Sequence, residues 1–169
     1  MPGKYESGGG QVVCVCDGAA LPKGDKSAVY ILRTFGSEAY EIWNVADPAH
    51  AVLVTRIDGL KDTHKSWWEC DTGSAFLVSD APDWRVKRMT QVYDLSDLAK
   101  PVKIRDFGLP GQEPGSEGMV PTDLHGPIST GPKGNRVYLG YGTNKGPSQC
   151  PRCPLPNSPR TRMAKAATS

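Results

Sequence analysis

The sequence has no run approaching the ~18 apolar residues that a membrane-crossing helix needs. Its first ten residues, MPGKYESGGG, contain no apolar core of a secretory signal, so the chain as written is expected to stay in the cytoplasm. Charge of one sign is also missing: 20 Lys and Arg are set against 18 Asp and Glu, interspersed through most of the chain, which leaves no electrostatic footprint for nucleic acid. Nucleotide motifs are absent too. Gly8-Gly9-Gly10 is not followed by Lys-Ser/Thr or a helix start, Gly131-Pro132-Lys133-Gly134-Asn135 reads as a turn, and no Gly-x-Ser-x-Gly elbow occurs. Long windows free of Gly and Pro are scarce, since 19 Gly and 15 Pro punctuate 169 residues. That punctuation disfavours helices and predicts an all-β, turn-rich class.

Five cysteines, Cys14, Cys16, Cys70, Cys150 and Cys153, form an odd set in three separate neighbourhoods, so reduced thiols are expected in place of a disulfide framework. Cys14 and Cys16 lie two apart in the apolar run 11–16, where strand alternation puts both on one face as buried thiols. Further strands are predicted at Ala28-Val29-Tyr30-Ile31-Leu32, Tyr40 to Val45 and Val52 to Ile57. The last two are joined by a turn that the Asp47-Pro48 step sets by fixing φ.

That hairpin unit recurs fifty residues later. Residues 41–54, from Glu41-Ile42-Trp43-Asn44-Val45 to Val52-Leu53-Val54, lie without a gap over residues 91–104, from Gln91-Val92-Tyr93-Asp94-Leu95 to Val102-Lys103-Ile104. Aromatic matches aromatic at Trp43 and Tyr93, amide matches carboxylate at Asn44 and Asp94, and Asp47 matches Asp97. A second correspondence links Thr63-His64 ahead of Ala75-Phe76-Leu77-Val78 with Leu124-His125 ahead of Val137-Tyr138-Leu139-Gly140. A period near 50 with four short strands is the size of one propeller blade, and the insert from Pro110 to Gly118 reads as a longer loop between blades.

The pattern aromatic-Asn/Asp-Val/Leu-x-Asp-Pro-x-x-Pro-Val-x-Val/Ile resembles the LVIVD-repeat β-propeller family over residues 25 to 146. The phrases THKSWWECDTG, RMTQVYDLSD, PVKIRDFGLPGQ and PTDLHGPISTGPKGNRVYLGYGTNKG resemble one bacterial branch of it. Ala51 and Leu98 depart from that pattern where it favours Pro. The resemblance implies a chain with further blades, in a family whose members are commonly exported. The expected organisation is a flexible N-terminus at 1–10, a partial β-propeller of about two to three blades at 11–146 with units near 40–57 and 90–107, and a disordered, Pro-rich tail at 147–169.

His64 and His125 are the candidate metal ligands, because each precedes a blade strand and channel-facing imidazoles from several blades can meet at one ion. Asp62, Glu69 or Asp123 could complete such a site; the alternative is that both histidines hydrogen-bond backbone. His50 lies in the turn and is expected to be solvated. Of the Trp67-Trp68 pair, one indole is expected in the core and one more exposed. Cys70 has no Cys-His-Asn signature around it. Arg85, Lys87 and Arg88 could hold an anion and are read as a solvated strand face. Cys150-Pro-Arg-Cys153 has the spacing of half a zinc ribbon with no second pair.

No catalytic residue is identified, and the ligand, cofactor and partner are unknown. The expected function is a non-catalytic binding or interaction module, with possible self-association through open blade edges. The alternative is a metal-dependent enzyme complete only in a longer parent chain.

Overall fold

The computed structural model describes residues 12–142. The expectations for the N-terminus, for the tail and for Cys150 and Cys153 fall outside them. Within them the chain is nearly all β, built as three antiparallel sheets with no closed barrel, an arrangement consistent with a partial propeller. The first sheet runs β1 (Cys14–Asp17), β2 (Val29–Phe35), β3 (Ala39–Asn44), β4 (Val52–Ile57), each strand beside the next. The second repeats this order with β5 (Ser66–Glu69), β6 (Ser74–Ser79), β7 (Met89–Asp94) and β8 (Val102–Phe107). A third pairs β9 (Leu124–Ser129) with β10 (Val137–Tyr141).

The fifty-residue offset reappears in three dimensions. The bounds of β3 and β7, and those of β4 and β8, differ by that offset, and both pairs carry a bulge at matching places, Ile42/Trp43 and Val92/Tyr93. The turns match atom for atom. Asn44 and Asp94 Oδ1 accept from the N–H groups of Ala46 and Ser96 at 3.0 and 2.8 Å, and Asp47 and Asp97 Oδ1 accept from those of Ala49 and Ala99 at 3.0 and 3.1 Å. A short polar side chain bonding two residues ahead is what turns β3 into β4 and β7 into β8. The tight approach of the second sheet to its own turn needs Gly73, which has φ +74° and whose Cβ, if present, would lie 2.6 Å from Ser96 backbone.

Period-two alternation assigns the faces. One face of the first sheet, with Cys16, Tyr30, Leu32, Tyr40, Ile42 and Ile57, forms a single buried cluster with Trp68, Ala75, Leu77 and Tyr93 of the second. Leu95 and Leu98 from the second turn complete it. Burying each of the larger side chains stabilises the fold by about 1.5–3 kcal/mol. Leu98 therefore stands where Pro was expected because it fills the seam, and its carbonyl accepts a hydrogen bond from the Thr55 hydroxyl.

Tyr40 closes the seam. It is fully buried, and its hydroxyl lies 2.7 Å from the Val78 carbonyl and 3.0 Å from that of His64 as donor, while accepting from the Val78 N–H at 3.1 Å. Burial pushes its pKa far up.

The expectation of reduced thiols is corrected here, because Cys16 and Cys70 form a disulfide with their Cα atoms 5.3 Å apart. Sheet-on-sheet packing brings β1 beside β5, so two cysteines distant in sequence meet. Cys14 keeps its thiol. It lies on the same side of β1 as Cys16, half-buried, and desolvation raises its pKa.

Candidate functional site

β5 and β9 lie side by side, and their N-terminal ends bring His64 and His125 together with ring centroids 5.1 Å apart, edge to face. The His64 N–H donates to the Val78 carbonyl at 3.2 Å, while its own carbonyl is one of the acceptors facing Tyr40. The backbone of His64 is thus held by the seam and its ring is left to face His125. His125 is exposed on β9, in line with its alternation against buried Leu124.

Two further residues meet β9 near this pair, Arg88 by its backbone and Lys65 by its stem. The N–H of Leu124 donates to the carbonyl of Arg88 at 3.0 Å, which brings the start of β7 against the start of β9. Lys65 lays its stem on β9 at Gly126, where an added Cβ would sit 2.9 Å from Lys65 Cβ. Partial burial, then Arg88, His125 and Lys65, together hold His64 well below the usual histidine range, at about 4, so its ring is neutral near pH 7. No carboxylate acts on it in the opposite direction.

The carboxylates considered as further ligands are engaged elsewhere or stand apart. The Asp123 Oδ1 accepts from the Lys87 N–H at 3.1 Å, and Glu69 accepts from the hydroxyls of Ser129 and Thr72. Asp62 occupies a left-handed turn with φ 51°. Among the described residues, no three His, Cys, Asp or Glu side chains gather as a metal-binding group.

The basic triplet expected to be a solvated face divides into three roles. Arg85 donates to the carbonyls of Gly111 at 3.0 Å and Gly118 at 2.7 Å and so pins the 110–118 loop. Lys87 is exposed, and Arg88 is half-buried, its carbonyl accepting from the Leu124 N–H. Trp68 is buried and Trp67 only partly so, as strand alternation requires. Cys70 is oxidised to the disulfide and offers no thiol nucleophile. His50 is exposed and pairs with Asp47 at 2.7 Å. Among the described residues, no helix is long and apolar enough to cross a membrane.

No known protein family, curated protein or solved structure matches the chain.

Proposed function

We propose that this chain is a non-catalytic interaction module of the LVIVD-repeat propeller type and belongs to a longer protein. The observation that supports this reading is an uncovered row on the outer face of the first sheet. Val15, Ile31, Trp43 and Leu53 lie in register across all four strands, with Val15 66% and Leu53 42% exposed. In the second sheet the corresponding row is Trp68, Ala75, Tyr93 and Lys103, and its first three residues are buried under the first sheet. The repeat therefore indicates the kind of surface that fits the open row, namely another sheet face bearing large apolar side chains. Beside the row, Glu41 is gripped by Arg33 at 3.5 Å and Arg56 at 3.6 Å, and it accepts from the Trp43 indole N–H at 2.9 Å. An apolar centre with a charged border has the anatomy of an interface.

Light scattering coupled to gel filtration tests this reading. The chain is expected to associate through this face, and Val15→Asp, at an exposed position, is expected to shift it to monomer. A dilute monomer that unfolds cooperatively and is indifferent to Val15→Asp would overturn the docking face, and turnover by the purified protein would overturn the non-catalytic part.

The 5.1 Å approach of His64 and His125 favours a second reading, a metal-dependent enzyme completed by ligands from further blades. Stoichiometric metal lost in the His64→Ala, His125→Ala double variant is the result it requires. For the compartment, the Cys16–Cys70 bond favours an oxidising environment over the cytoplasm that the N-terminal sequence suggested.

A further inference from the structure

We propose that copies of this chain associate head to tail, the outer face of the third sheet in one copy packing on the open row of the first sheet in the next. The proposal rests on the docking face described above and names its occupant: a second copy, engaged through a different surface.

Strand pairing gives the corresponding positions. Cys14, Leu32, Ile42 and Thr55 form one rung of the first sheet, and Trp67, Phe76, Val92 and Arg105 form the same rung of the second. In the third sheet that rung is Ile128 and Tyr138, since Ile128 follows His125 as Trp67 follows His64. The flanking pairs agree, with Ser129 opposite Val137 where Trp68 stands opposite Ala75.

Residues paired across strands share a face of their sheet. In the first seam Cys14 and Leu32 pack in one cluster with Trp68 and Ala75 of the second sheet. Trp68 and Ala75 hold the positions that Val15 and Ile31 hold in the first sheet. Ile128, 56% exposed, and Tyr138, half-buried, lie on the face of the third sheet opposite Val137, Leu139 and Tyr141, which belong to the cluster around Val78. One chain therefore carries both halves of the first seam's inner contact a second time, at opposite ends: Ile128 and Tyr138 in place of Cys14 and Leu32, Val15 and Ile31 in place of Trp68 and Ala75.

Both seams within the chain set unlike faces together, so the unit has a direction and its association is heterologous, closing into a ring or continuing as a filament. Two strands suffice for such a seam, because β9 and β10 alone bury Leu124 and Leu139 against Val78.

The test is sedimentation velocity on the full chain and on single variants, alone and mixed. Val15→Asp and Ile128→Asp each put a charge into the apolar contact and are each expected to leave a folded monomer. Mixed in equal amounts they are expected to associate again and to stop at twice the monomer mass. The first variant keeps an intact third sheet, the second an intact first sheet, and each resulting pair ends in one spoiled face on either side. Gly140→Asp gives a second variant on the face of Tyr138 should Ile128→Asp not fold; it is exposed, and an added Cβ lies 3.5 Å from the Gly126 carbonyl oxygen, an ordinary contact. Ile104→Asp, 56% exposed on β8 and on neither surface, is expected to leave the assembly unchanged. Assembly abolished by Val15→Asp but untouched by Ile128→Asp and Gly140→Asp, or monomeric variants that do not combine on mixing, would overturn the proposal and leave the docking face standing. An unmodified chain that stays monomeric, or an assembly indifferent to Val15→Asp, would remove the docking face and the proposal with it.

Discussion

The two seams of this molecule are built from the same repeat and are closed to different degrees. Between the first and second sheets, fifteen buried residues make one cluster, a tyrosine hydroxyl meets backbone from both sides of the β5–β6 pair, and a disulfide joins β1 to the residue that follows β5. Between the second and third, the buried cluster is Val78, Leu124 and Leu139, flanked by Phe107, Val137 and Tyr141. The fifty-residue offset puts Thr90 of the second sheet where Tyr40 stands in the first. Thr90 is 1% exposed and its hydroxyl has no hydrogen-bond partner, as is also true of the Tyr141 hydroxyl, whose pKa burial raises to about 12. Repetition of the backbone thus does not guarantee repetition of the seam. Side-chain reach at one position decides whether a hydroxyl finds a partner across it.

The sharpest way to break this comparison is Tyr40→Ala, which empties the centre of the first seam and is expected to cost about 3–5 kcal/mol in urea unfolding. Removing the disulfide with Cys16→Ala and Cys70→Ala together is expected to cost about 2–4 kcal/mol, and a reductant should lower the melting temperature of the unmodified chain while leaving that variant unaffected. Tyr40→Phe isolates the hydroxyl. By stranding the buried Val78 N–H, whose acceptor is the Tyr40 hydroxyl, it is expected to cost about 1–3 kcal/mol. Thr90→Val, the matching deletion in the second seam, is expected to change stability by less than about 0.5 kcal/mol or to raise it, because it discards a polar group that bonds nothing. A cost for Thr90→Val equal to that for Tyr40→Phe would show that the seams are energetically alike and would remove the distinction.

Much of the fold was legible because it is written in local chemistry. The Asn44-to-Ala46 and Asp47-to-Ala49 hydrogen bonds and their copies at Asp94 and Asp97 depend on residues two apart, so an ungapped match across fifty residues carries the turn and both flanking strands with it. The disulfide was not legible, since Cys16 and Cys70 are joined by sheet packing and nothing near either residue signals the other. The surroundings of the histidine pair were legible only in part. His64 and His125 stood out through their matched positions, but Arg88 was hidden in a run with Arg85 and Lys87, and the fold gives these three bases, within four residues, three different surroundings. Lys65 carried no signal, because its place depends on Gly126 leaving room for its stem.

The Cys16–Cys70 bond also changes how the chain responds to force. Its ends are 54 residues apart in sequence, and β2, β3 and β4 lie wholly inside that loop. Tension applied to the two termini passes through the sulfur bridge and bypasses the loop. At ~3.4 Å per extended residue, roughly 180 Å of contour is withheld from stretching until the bond is reduced. While oxidised, the first sheet is loaded directly only through β1 and unfolds under tension as a shielded unit, so that in a pulling experiment the redox state sets the length of chain released.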